Sequence, residues 1–253
     1  MQKVAAIISC IAVICVVILG EWYWSEKMSH PAEATNTSLH EEEQASAIDL
    51  TSVNHLPHEL VEKAEKAIEN EEPLHFVIYG SESTSTDENA WPSQLKRELQ
   101  SIYGDLFTFT IFSDESKTTL DVVTENLHQK VMDSNPDILL FEPFILKDNG
   151  GLIGINHTLE NISTILADIE SENEDATIYL QAAHPIFSSK HYPAQVKDLE
   201  KYSKENNYHF LDHWAAWTEQ DDSIYLVENK DKPNEKGNEV WASYLVNYFV
   251  NNE

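Results

Sequence analysis

From about residue 73 to residue 250, short β-branched and aromatic runs alternate with amphipathic stretches. Residues 74–79 read LHFVIY, broken only by His75, which is the pattern of a strand buried on both faces. Comparable runs predict further strands at 106–112, 137–142, 176–182 and 208–212. Helical spacing of apolar positions predicts helices at 91–103, 118–133, 157–172, 193–206 and 237–250, with another at 57–70 ahead of the first strand. This βα rhythm argues for an α/β domain with a parallel five-stranded sheet covered on both faces. Right-handed crossovers make it a three-layer α/β/α sandwich.

The first 55 residues have a different pattern. Residues 4–19 are apolar apart from Ser9, with Lys3 before them and Glu21, Trp22, Tyr23 and Trp24 after them. With Gly20 and the aromatic belt the run reaches the length of a spanning helix. No convincing A-x-A site follows, so residues 1–24 read as an uncleaved signal anchor rather than a cleaved signal peptide. Lys3 and the amino terminus favour the cytoplasmic side, which predicts a single-pass membrane protein with its carboxy-terminal domain extracellular. Residues 25–55 are polar and acidic without an apolar period and read as a flexible linker. The folded domain is then expected at 56–253.

Charge and cysteine content narrow the function. The 253 residues include 44 Asp and Glu against 16 Lys and Arg, a net charge of −28. Phosphate backbones need a basic surface, so nucleic acid is excluded as a partner. Both cysteines, Cys10 and Cys15, lie inside the apolar run, leaving the rest without a disulfide or thiolate metal site. The histidines are scattered, with no HxH or HExxH, and with seven glycines there is no Gly-rich phosphate loop. No metal or other cofactor is implied.

In an open parallel sheet the ligand site lies beyond the carboxyl ends of the strands. That edge collects Ser81, Glu82, Ser83 and Thr84 after the first strand, and Ser113, Asp114 and Ser116 after the second. Glu142, Lys147, Asp148 and Asn149 follow the third strand, His184 the fourth, and Asp212, His213, Trp214 and Trp217 the fifth. The loop before the last helix adds Asp231, Lys232 and Asn234. A serine hydroxyl attacks only when a base within hydrogen-bond reach takes its proton. His184 and His213 are the candidate bases, with Asp231 or Asp212 to orient them. Adjacent strand residues point to opposite faces, which argues against Asp212 orienting its own neighbour His213. The tryptophans read either as a sugar-stacking platform or as core.

Four blocks in residues 73–250 resemble the SGNH/GDSL hydrolases, a family of esterases, lipases and carbohydrate deacetylases with a flavodoxin-like fold. Gly80-Ser81-Glu82-Ser83-Thr84 stands where the family has Gly-Asp-Ser, and Ser116 where a glycine supplies an oxyanion N–H. Lys147-Asp148-Asn149-Gly150 stands for Gly-x-Asn-Asp. Asp231-Lys232-Pro233-Asn234, leading to Gly237-Asn238, stands for Asp-x-x-His-Pro-Asn-x-x-Gly-His. The chain also resembles a divergent branch of Bacillus-type envelope proteins carrying Gly-Ser-Glu, Glu-Pro-Phe and Asp-His-Trp segments.

The resemblance implies an ester hydrolase, an esterase or deacetylase acting on acyl groups of envelope glycans or lipids. Ser81 or Ser83 would be the nucleophile, His184 or His213 the base, and Asp231 its orienting partner. Ser116, Asn149 and Asn234 would hold the oxyanion or substrate. Three positions depart from the family pattern. The aligned nucleophile position holds Glu82, the base position before Pro233 holds Lys232, and the acid three residues earlier is Asn229. Those departures open the alternative of a fold that no longer hydrolyses and serves as a glycan-binding or envelope-assembly factor.

Overall fold

The central strand β1 (Leu74–Gly80) sends alternate side chains into two separate cores. Phe76 and Ile78 belong to one and Val77 and Tyr79 to the other, as the period of two in a strand requires. The third strand, β3 (Ile138–Phe141), repeats the division: Ile138 and Leu140 face one core, Leu139 and Phe141 the other. Burial on both faces explains why these strands are continuous apolar runs.

The computed structural model describes residues 53–251. Before β1 comes α1 (His58–Asn70); between the two strands and after them run α2 (Trp91–Tyr103), β2 (Phe107–Ser113), α3 (Thr119–Thr124), α4 (Gln129–Asp133), α5 (Ile145–Gly150) and α6 (Ile155–Glu172). The chain closes with β4 (Thr177–Leu180), α7 (Tyr192–Glu205), β5 (His209–Phe210), α8 (Asp222–Tyr225) and α9 (Glu235–Val250). All five strands are parallel, in the order β2-β1-β3-β4-β5. The strand order reverses between β1 and β3, and the crevice beyond their carboxyl ends is where such a sheet binds ligands. Helices α1, α2 and α9 supply the core on the Phe76 face, and α6 and α7 the core on the Val77 face.

Three expectations are corrected. The helix expected at 118–133 is two helices, separated where Asn126 takes a left-handed φ of 52°. Residues after β3, expected as loop, form α5, so Asn149 is helical. The folded unit starts earlier than residue 56, because Val53 and Leu56 are both buried in the core. The proposed anchor at 1–24 and nearly all of the linker at 25–55 lie outside the described residues. Among the described residues no helix is long and apolar enough to cross a membrane.

A three-ring stack ties the last helix to the rest. Trp241 of α9 lies 4.6 Å from Trp91 at the start of α2 and 4.1 Å from the His213 ring, nearly parallel to both. Its indole N–H donates to Gln181 Oε1 at 2.9 Å, so the one polar atom of the ring is satisfied in the core. Trp241→Ala should therefore cost about 3–5 kcal/mol in a urea-unfolding measurement. A loss under about 1 kcal/mol would mean the neighbours close over the space and the stack is dispensable.

Candidate active site

The turn after β1 is built around a buried carboxyl group. Glu142, at the end of β3, is fully buried, and its Oε2 accepts from the Ser81 N–H (2.8 Å), the Ser81 hydroxyl (2.6 Å) and the Thr84 hydroxyl (3.3 Å). Gly80 allows this approach: a Cβ there would lie 2.4 Å from Thr84 Oγ1 and 2.8 Å from Glu142 Oε2. The Ser81 hydroxyl in turn accepts the Ser83 N–H at 3.2 Å, and Ser113 donates to the Ser81 carbonyl at 2.8 Å. Trp91 closes the turn from above, its indole N–H donating to the Ser83 carbonyl at 2.8 Å.

Of the two candidate serines, only Ser83 meets a histidine. Its Oγ lies 3.2 Å from His184 Nδ1, while Ser81 Oγ is committed to Glu142. His184 Nε2 lies 3.1 Å from the carbonyl of Lys230, so the Nε2–H tautomer donates there and leaves the Nδ1 lone pair for the serine hydroxyl. Lys230 sits at φ 58° and is held by its ammonium on Asp222 Oδ2 at 2.8 Å. Asp222 also accepts from the Phe187 N–H (2.7 Å) and the Ser188 hydroxyl (2.6 Å). The orienting group of this pair is thus a backbone carbonyl rather than a carboxylate. Burial is the main cause that lowers the His184 pKa to about 4, so the ring is neutral near pH 7.

The other predicted residues are placed elsewhere. His213 is not brought to either serine: Nδ1 accepts from the Trp217 indole at 3.0 Å, Nε2 bonds the Ala182 carbonyl at 2.9 Å, and the ring is buried under Trp241. Burial lowers its pKa to about 3. Trp217, equally buried, is core rather than a sugar platform. Asp231 accepts from Asn229 at 2.6 Å and bonds neither histidine through its carboxylate, although its carbonyl lies 3.5 Å from Ser83 Oγ. Asn149 donates to Gln195 at 2.7 Å. Asn234 caps α9: its Oδ1 accepts the Gly237 N–H at 3.1 Å and its amide donates to the carbonyls of Ile224 and Leu226. Gly237 is required by close packing, since a Cβ would lie 2.2 Å from the Tyr225 carbonyl oxygen. The block from Asp231 to Asn238 therefore has a capping and packing role in this chain.

The Ser116 N–H does face the site, but it donates to Glu82 Oε2 at 3.1 Å. Glu82 Oε1 pairs with the Lys147 ammonium. Glu82 and Ser83 line a cavity of about 260 Å³ shared with Asn89, Lys232, Asn234 and Glu235. A larger hollow of about 440 Å³, lined by Glu59, Lys63, Asp137 and Asp175, lies at the amino ends of the strands and holds no nucleophile–base pair. The sequence placed Glu142 at the ligand edge, directly after a fully apolar strand, but gave it no role in the site. The Lys230 carbonyl left no signal at all, because every residue has one.

No protein-family model matches the chain, and no curated protein matches it. Solved structures do match. A carbohydrate esterase family 3 protein from Talaromyces cellulolyticus superposes with a TM-score of 0.60 at 14% identity, covering 68% of this chain and 94% of that one. A putative GDSL-like lipase from Parabacteroides merdae gives 0.57 at 11% identity, over 70% of this chain and 95% of that one. The lipase Lip_vut3 from a goat rumen metagenome gives 0.55 at 14% identity, over 71% of this chain and all of that one. The fold is that of the SGNH hydrolases. In the alignment of the SGNH blocks given above, Glu82 occupies the nucleophile position, one residue before Ser83.

Burial pushes the Glu142 carboxyl up to about 7 against the bonds from Ser81 and Thr84. Below about pH 4.5 this group is neutral in both folded and unfolded chains. Between 4.5 and 7 the unfolded chain ionises first, so the stability present at low pH is lost as pH rises through 7. Glu142→Gln should remove that loss. Relative to the parent it should gain on the order of 3 kcal/mol between pH 4.5 and 8 in urea denaturation. A difference that stays flat with pH would show the carboxyl is ionised in the fold.

Proposed function

We propose that the chain is an SGNH-type ester hydrolase in which Ser83 is the nucleophile and His184 its base. The observation that carries this is the Ser83–His184 contact of 3.2 Å, with His184 held in the receptive tautomer by the Lys230 carbonyl. Ser83 Oγ adds to the ester carbonyl while its proton passes to His184 Nδ1. The tetrahedral adduct expels the alcohol, which leaves with that proton, and an acyl-serine remains. Water then adds to the acyl-serine, its proton taken by His184, and the acid departs as Ser83 recovers its hydrogen. The neutral imidazole supported by burial can accept a proton at neutral pH, though a pKa near 4 makes it a weak base.

The cavity narrows the substrate. At about 260 Å³ it falls just below the ~300–1,000 Å³ of drug-sized pockets. Its walls are carboxylates, amides, two serine hydroxyls and a lysine, with only Ala90 and Pro233 apolar. This favours a short acyl group on a hydroxyl-rich carrier such as an envelope glycan over a long-chain lipid ester. The apolar run at 4–19 and the cysteine-free remainder support the further proposal that the domain works outside the cell membrane to which it is tethered.

One observation favours a second reading. Glu82 occupies the Ser116 N–H that an oxyanion would use, as expected of a fold kept for glycan binding or envelope assembly without hydrolysis. Turnover of p-nitrophenyl acetate and labelling by a fluorophosphonate decide between them. For the enzyme, Ser83→Ala and His184→Ala should each lower kcat by at least about 100-fold. The label should map to Ser83. Because His184 is neutral down to about pH 4, kcat/KM should hold its value at pH 5.5 and fall only near that pKa. Turnover that survives Ser83→Ala but not Ser81→Ala would move the nucleophile, and absence of both turnover and label would leave the binding role.

A further inference from the structure

Glu82 is a carboxylate held as a bound ligand would be held. It is buried, with one oxygen on the Lys147 ammonium and the other on the Ser116 N–H. The Ser116 backbone is in the left-handed region at φ 60°, a conformation that a non-glycine residue keeps only where the surroundings impose it. Lys147 has no other ion-pair partner among the described residues. Glu82 and Ser83 border the same cavity, which connects the carboxylate's position to the space a substrate would enter.

We propose that the Ser116 N–H and the Lys147 ammonium form an anion-binding site whose resident ligand is the chain's own Glu82 carboxylate. A small carboxylate, or the oxyanion of an ester under attack, enters only by displacing it. The site takes one carboxylate-sized anion because it offers one backbone donor and one cation, spaced to bridge two oxygens of a single group. Removing Glu82 leaves a half-buried ammonium and an N–H without their partner, and an exogenous anion restores both contacts. The anion site stands on this geometry alone. Its effect on turnover rests on the ester-hydrolase reading.

The test is titration of the full-length chain with sodium acetate, followed by calorimetry and by line broadening of labelled acetate. Glu82→Ala should bind acetate at least about tenfold more tightly than the parent, and adding Lys147→Met should return binding to the parental level. Glu82→Gln, which keeps the side chain's shape without its charge, should also bind more tightly than the parent and serves where the alanine variant does not fold. Folded variants that bind acetate no better than the parent would overturn the proposal, as would tight binding that survives Lys147→Met. If the ester-hydrolase reading also holds, Glu82→Ala should raise kcat/KM for p-nitrophenyl acetate. Acetate binding without turnover in any variant would sink that reading and leave the anion site standing. Turnover through Ser83 without acetate binding would do the reverse.

Discussion

The close approach of the Glu142 carboxyl to the turn after β1, possible only because position 80 has no side chain, is the contact on which the geometry of the site depends. A carboxyl buried this completely loses its hydration, and three donors from one short turn replace it. The consequence runs outward from there. With Ser81 committed to Glu142, its oxygen is free to accept the Ser83 N–H, and Ser83 is presented to His184. Ser81, one residue before the aligned nucleophile position, thus acts as a support, and Ser83, one residue after it, meets the imidazole.

The second structural constraint is charge. The cavity beside Ser83 gathers carboxylates, yet the one at position 82 is neutralised by Lys147 and the Ser116 N–H. An anion stabilised so fully in the ground state is costly to remove, because it must be rehydrated while its partners lose their bonds. A hydrolase built this way would be slow until that carboxylate moves. A binding protein built this way would be finished. The same atoms support both descriptions, and the difference between them is the free energy needed to displace one carboxylate.

Most of the architecture was legible in the chain. β1 and β3 stand out because burial on both faces allows only apolar residues, and the amphipathic helices because one face must stay polar. The break at Asn126 lies outside what hydrophobic periodicity encodes, because it is a backbone turn at a residue type that tolerates the left-handed region. At the site, Ser83 and His184 were both visible as candidates, but so were Ser81 and His213. His213 looked equally suited until the fold stacked it on Trp241 and used both its nitrogens. Asn234 and Gly237 kept the family's spacing for reasons of capping and close approach rather than chemistry.

By itself, then, the sequence determined the alternation of strands and helices and the sheet edge at which polar residues gather. These follow from short-range periodicity and composition, which each stretch of chain carries locally. Which serine meets which imidazole was decided only by the tertiary structure. Ser83 and His184 are 101 residues apart, and the Lys230 carbonyl that orients the ring comes from a third segment. Contacts of that kind depend on where several loops end in space, and a few ångströms there separate a base from a core histidine.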